Sequence, residues 1–138
     1  MAYMIRKVNY CKMTVPSRAG QGVKVLSVLK EAGVDLLAFT GFPVGGGKSQ
    51  IDLVATSMAG VQRVARKNKW RVSKTKKGFL VQGTDEIGAA HKVLSRLAGE
   101  NINVVAADAV SAGKGRYGML MWVKPKDYNR AARILNAQ

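Results

Sequence analysis

Three places in the sequence carry residues that could do chemistry. Phe42-Pro43-Val44-Gly45-Gly46-Gly47-Lys48-Ser49 nearly spells a phosphate-binding loop, whose backbone amides wrap phosphate oxygens while a lysine neutralises them. The first glycine of that motif is missing, because Phe42 holds its place and Gly41 comes one residue early. Such a loop also leads into a helix, whereas Ser49 to Thr56 alternates like a strand. Ala112-Gly113-Lys114-Gly115-Arg116 makes a similar turn later on, so a β-hairpin loop accounts for both. His91 and Cys11 are the only residues of their types, which leaves no metal-ligand spacing. Cys11 alternates with Met13 and Val15 and reads as a buried strand residue. His91 reads as a helix-surface residue, or alternatively as a ligand contact one turn beyond Asp85-Glu86. No triad and no acid–base pair emerges. A protein without catalytic residues, metal or cofactor is expected.

The chemistry that remains belongs to backbone turns. Ser17-Arg18-Ala19-Gly20 and Asp85-Glu86-Ile87-Gly88 each break a strand pattern just before a helical one, and Ser17 is placed to cap the helix after it. They occupy matching points of an internal repeat. Shifting residues 20–40 forward by 68 positions sets Gly20, Lys24, Val25, Leu26, Ser27, Leu29 and Ala38 on Gly88, Lys92, Val93, Leu94, Ser95, Leu97 and Ala106. That period exceeds solenoid repeats of ~20–50 residues, so each copy should be a small module.

The elements that position these turns come from periodicity. In the first copy, Tyr10 to Val15 is a strand, and Val25, Leu26, Leu29 and Ala32 make a helical stripe that stops at Gly33. A strand from Leu36 to Phe42, the glycine turn, a strand from Ser49 to Thr56, a helix near 59–68 and a last strand at Trp70-Arg71-Val72 complete it. The second copy repeats the order but ends before a fourth strand, since Gln138 corresponds to Trp70. The fold class expected is α+β, with two ferredoxin-like (βαββαβ) modules in tandem over residues 1–75 and 76–138. Their sheets are antiparallel with helices on one face. In this topology the missing strand would lie beside the first strand of the second module, so that edge should be covered by Tyr3–Val8 or by a neighbouring subunit. Leu120 and Trp122 alternate with Met119 and Met121 and should face away from the helices. Either another copy or subunit buries them, or they form a stacking surface for a ligand or base.

Composition narrows the setting. The chain has 138 residues, 47% hydrophobic and 22% charged, which describes a folded protein. No run approaches the ~20 apolar residues that cross a bilayer, the start lacks the apolar segment of a signal peptide, and a lone cysteine argues against an oxidising compartment. A cytoplasmic protein with no membrane association is expected. The net charge is +15. Such a charge is compatible with nucleic acid, an anionic membrane surface or acidic metabolites as partners, while Arg63, Arg66, Lys67, Lys69, Arg71, Lys74, Lys76 and Lys77, in a stretch without acids, read as a solvated helix face running into a basic linker.

The turn of Ser17-Arg18-Ala19-Gly20, followed by Val25-Leu26 and Ala32-Gly33-Val34-Asp35-Leu36, resembles the ACT domain, a small regulatory module. The second copy resembles it through Asp85-Glu86-Ile87-Gly88 and Asn101-Ile102-Asn103-Val104. Ser17 stands where that family has Asp or Asn, and Ala19 and Ile87 stand where it has proline. The resemblance implies an allosteric, non-catalytic sensor that binds an amino acid or related ligand where two modules meet, as a homodimer or higher homo-oligomer acting on a regulated protein partner. By the same resemblance the ligand-binding residues are Ser17, Arg18, Ala19, Gly20 and Asp35 in one copy, and Asp85, Glu86, Ile87, Gly88 and Asn103 in the other. Asp35 or Asn103 would receive the ligand ammonium. The alternative is a basic ferredoxin-like nucleic-acid-binding protein, although only 7% of residues are aromatic and no aromatic ladder marks the middle strands.

Overall fold

A computed structural model describes residues 3–138. Among them are six strands and four α-helices, an α+β architecture. In chain order these are β1 (Tyr3–Pro16), α1 (Gln21–Glu31), β2 (Leu36–Gly45), β3 (Lys48–Ala55), α2 (Met58–Lys67), β4 (Lys76–Thr84), α3 (Ala89–Ala98), β5 (Val104–Gly113), β6 (Arg116–Val123) and α4 (Tyr128–Leu135), with a 3-10 turn at Pro125–Asp127. The chain divides into two compact units. One is Asn9–Lys76, and the other joins the segment ending at Val8 to Lys77–Gln138. The expected bounds of 1–75 and 76–138 differ from this division at the N-terminus, because β1 contributes its first residues to one unit and the rest to the other.

In the first unit the strand order is β2-β3-β1, and both pairings are antiparallel. Alternation sends Cys11, Met13, Ile51 and Leu53 to one face, where they pack with Val25 and Leu29 of α1 and Val61 and Val64 of α2. Val25 and Leu29 stand four residues apart on a single helix stripe. Gly45, Gly46 and Gly47 all have positive φ and close the β2–β3 hairpin, so the glycine run is a turn between strands.

The last strand expected at Trp70–Val72 does not form. The Trp70 amide is spent on closing α2, donating to the Ala65 carbonyl at 2.8 Å, and Lys69 before it takes a left-handed φ of 59°. Trp70 and Val72 still pack against the first core, and Ser73 is hydrogen-bonded to β1. Its amide donates to the Lys12 carbonyl at 2.9 Å and its hydroxyl accepts from the Lys12 amide at 3.0 Å.

The second unit has the order β1-β4-β6-β5. Its part of β1 therefore lies beside β4, where a fourth strand of the second copy would lie. Ile5 joins the core formed by Phe79, Val81, Val93, Leu97, Met119, Met121 and Leu135, and Tyr3 packs on its margin. Phe79 stacks on Tyr128 of α4 with ring centroids 5.0 Å apart. Gln138 exchanges hydrogen bonds with Lys7 and Ile5 of β1 (2.8 and 3.0 Å). Leu120 is buried and Trp122 half-buried, and neither belongs to the helix-side core.

The two units repeat each other closely. The starts of α1 and α3, of β2 and β5, and of β3 and β6 are each 68 positions apart, and the hairpins share bulges at equivalent points (Leu36/Ala38 and Val104/Ala106). Gly20 and Gly88 precede α1 and α3 in left-handed conformation, with φ of 87° and 81°. A Cβ at Gly20 would meet nothing within 4 Å, so any cost of a side chain there is a backbone cost. Gly20→Ala should lower the unfolding free energy by about 1–2 kcal/mol in urea titrations. Gly22→Ala, inside α1 at negative φ and equally unobstructed, should raise it by about 0.5–1 kcal/mol.

Candidate functional site

Each strand-to-helix turn is fastened to the hairpin beside it. The Ser17 amide donates to the Gly47 carbonyl at 2.8 Å, and the Asp85 amide donates to the Gly115 carbonyl at the same distance. The turn then runs through exposed residues to the left-handed glycine. Neither helix receives a side-chain cap. Ser17, expected as a cap, stands three residues before the glycine that holds the cap position. Its hydroxyl instead accepts from Ser49 at 3.0 Å.

The first amides of the helices are consequently left open. In α1 the Gln21 amide turns back to the Arg18 carbonyl (3.3 Å) and the Lys24 amide to Gly20 (3.0 Å). Gly22 and Val23 between them have no backbone acceptor among the described residues. The second unit repeats this with Ala89 on Glu86 and Lys92 on Gly88, leaving Ala90 and His91. Unpaired amides at a helix start carry partial positive charge and suit a carboxylate or similar anion.

A hollow opens beside each turn. In the first unit it measures about 470 Å3 and is lined by Ser17, Arg18, Ala19, Gln21 and Gly22 on the turn side, with Phe39, Phe42, Pro43, Ser49 and Ile51 across from them. In the second it measures about 280 Å3, lined by Asp85, Glu86, Gly88, Ala90, His91, Val110, Ser111 and Tyr117. Arg18 is the only charged residue lining the first, whereas Asp85 and Glu86 line the second. Glu86 is neutralised by Lys92 at 2.9 Å, and Asp85 accepts a hydrogen bond from Ser111 at 2.8 Å. His91, exposed on α3, has a ring nitrogen 3.3 Å from the Ser95 hydroxyl.

Six of the ten residues singled out in the sequence thus line a hollow: Ser17, Arg18, Ala19, Asp85, Glu86 and Gly88. Gly20 shapes its turn without lining the space, and the Ile87 side chain is fully exposed. Asp35 and Asn103 are not brought there. Asp35 follows the far end of α1, an 11-residue helix about 16 Å long, and Asn103 follows α3 in the same way. The hairpin residues Ser49 and Tyr117 escape sequence reading, because only the fold-back of β3 and β6 sets them beside the turns. Their separation of 68 positions is the available signal.

No family model matches the sequence, and a search of curated proteins finds no match. Solved structures do match almost all of it. A protein from Bacteroides thetaiotaomicron aligns over 97% of this chain and 88% of its own, with a TM-score of 0.79 at 14% identity. The regulatory subunit of aspartate kinase from Thermus thermophilus, in a ligand-free form, aligns over 99% and 95% with a TM-score of 0.64 at 11% identity. The fold is ACT-like. Aspartokinase III of E. coli, solved with lysine and aspartate, aligns over 99% of this chain but 32% of its own, with a TM-score of 0.55 at 15% identity. This ACT-like chain therefore spans about a third of that enzyme.

A second polar feature lies outside the hollows. Asp52 of β3 is fully buried, its carboxylate accepting from Thr40 at 2.6 Å and from the Gln50 amide at 3.1 Å. Burial first, and the Asp52 charge second, push the Cys11 thiol from 9.0 up to about 11 and the Tyr10 phenol from 10.0 up to about 12. A thiol with that value is a poor nucleophile at neutral pH. Both groups hold their protons more tightly folded than unfolded. Their contribution to stability is complete below pH 9 and is lost as pH rises through the folded values. The unfolding free energy in urea should decline between about pH 9 and 11, and Cys11→Val should flatten the thiol's share of that decline.

Proposed function

We propose that the protein is a non-catalytic regulatory sensor that binds an amino acid or a closely related small ligand at its strand-to-helix turns. The observation that carries this reading is the uncapped helix start beside a hollow, built twice on one backbone plan. A ligand carboxylate would take the open amides of Gly22 and Val23 or of Ala90 and His91, and the left-handed glycine lets it approach the backbone. In this reading the chain is two ferredoxin-like, ACT-type modules in tandem, the second completed by the first residues of β1. Likeness of fold to aspartate kinase regulatory domains supports it.

Asp35 and Asn103 stand a helix length from the turn of their own unit, so a role for them at a ligand requires a turn supplied by another module, as a second copy of the chain would provide. We accordingly propose a homo-oligomer, acting in the cytoplasm on a regulated protein partner. Ligand binding would shift the population between two arrangements of the assembly by as much as its affinities for them differ. Nucleic acid is the less supported partner. The basic residues of α2 and the following segment are largely exposed, but Trp122 has Ala106 across from it on β5, which offers no second ring for base stacking.

Thermal unfolding in the presence of each of the twenty amino acids tests the reading. One or a few should raise the melting temperature by on the order of 5–10 °C at a hundredfold excess over Kd. Arg18→Ala or Asp85→Ala should then weaken that ligand about tenfold. A flat response across all twenty overturns the proposal.

A further inference from the structure

All four helices end on one pattern. A residue in left-handed conformation donates its amide three residues back, and its successor donates five residues back. Gly33, Asn101 and Asn136 hold that position after α1, α3 and α4, and these residue types reach positive φ with least strain. After α2 the position is held by Lys69, at a φ of 59°. A lysine is strained there. The helix dipole favours cations at this end, but Arg66 and Lys67 already supply them in the last turn. Lys69 belongs to a larger basic face. Val61, Val64 and Ala65 are the buried side of α2, which leaves Arg63, Arg66 and Lys67 exposed together at the i, i+3, i+4 spacing that sets like charges side by side. Arg71 and Lys74 beyond the helix are exposed as well. None of these six cations has an ion-pair partner among the described residues. The segment after α2 is also no loose linker. Trp70 and Val72 pack on the first core, and Ser73 is bonded to Lys12 of β1 through both amide and hydroxyl. The fold holds mutually repelling charges in fixed places and loses stability by it.

We propose that this face of α2 and the segment after it docks the phosphate backbone of a nucleic-acid duplex, without reading its sequence. An acidic protein, an anionic membrane and a nucleic acid all attract cations, and the surface itself separates them. Protein interfaces and membrane-bound helices bury an apolar centre. No large apolar side chain is exposed from Met58 to Lys76 among the described residues. Nucleic-acid interfaces are the strongly basic ones, and phosphate contacts supply their sequence-independent affinity. Trp70, half-buried against the core, offers no free ring on which the bases of a single strand would stack. A duplex keeps its bases stacked inside and presents phosphates, so the lack of paired rings on the sheet does not count against it. The basic face uses none of the residues of the turns, and the inference stands apart from the amino-acid reading.

Binding of the full-length protein to a fluorescent DNA duplex of about 20 base pairs tests the proposal. A plot of log K against log salt concentration should have a slope of about −4 to −5, as roughly five phosphate contacts give. Arg63→Gln combined with Arg66→Gln should flatten that slope by about 2 and weaken binding by about tenfold or more at about 0.1 M salt. Lys124→Gln combined with Lys126→Gln removes as much charge from exposed positions of the other unit and should change affinity less than about twofold. Lys69→Gly should weaken binding about fivefold while raising the melting temperature by about 3 °C, a combination that a folding defect does not produce. Equal weakening by the two double variants would mean attraction by net charge alone, and would overturn the inference. So would a slope flatter than about −2, no binding at about 50 mM salt, or tighter binding to poly-L-glutamate or to phosphatidylserine vesicles than to the duplex. None of these outcomes bears on whether an amino acid shifts the melting temperature, so the two readings fail separately.

Discussion

The left-handed glycine before each first helix is the constraint on which the rest depends. At φ near 81–87° an L side chain is strained, so Gly20 and Gly88 hold the cap position although neither offers an oxygen to cap with. Most helices begin on Ser, Thr, Asp or Asn and satisfy an amide at once. Here the glycine steers the chain sharply into the helix and leaves two amides pointing outward. The preceding backbone is meanwhile tied to the hairpin turn at Gly47 or Gly115. A concave surface with donors at its rim results, and it results from main-chain geometry. Side chains at the turn are thereby free to vary without loss of the shape.

They have varied. Where Ser17 and Ser49 bond to each other, the second unit sets Asp85, Ser111 and Tyr117. On the other face of the sheets, Thr40 and Asp52 form a buried polar pair in one hairpin, and Asp108 lies opposite Leu120 at the same point of the other. Leu120 is buried without needing partners, whereas Asp52 depends on two donors to offset its desolvation. The two units keep one backbone plan and carry different chemistry upon it.

Much of this is legible in the residues. The offset between Gly20 and Gly88 predicts two matching units, and alternation from Tyr10 to Val15 and from Ser49 to Thr56 locates strands and their inward faces. What escapes depends on partners distant in sequence. Asp52 alternates with Ile51 and Leu53 and so reads as outward-facing, since nothing nearby announces that Thr40 will lie across from it. Trp70–Val72 has strand composition, yet the end of α2 claims the Trp70 amide before a ladder can start. Tyr3–Val8 reads as surplus apolar chain, but its continuity with the next strand is hidden, because Ile5 and Val8 are buried on opposite faces and break the alternation. Ser17 has the residue type of a cap, and the cap falls instead to Gly20 because the backbone there demands a conformation that only glycine meets without strain.

The division of β1 has a consequence for dissecting the molecule. A fragment starting at Lys77 would contain every helix of the second unit and most of its strands, yet it would lack Ile5 and leave one side of β4 bare. Such an exposed row of amides and carbonyls invites aggregation. An excised half would be soluble only if residues 3–8 were restored to it, for instance through a short linker in a circularly permuted chain. The two halves are repeats in shape, but they are not separable as contiguous pieces of sequence.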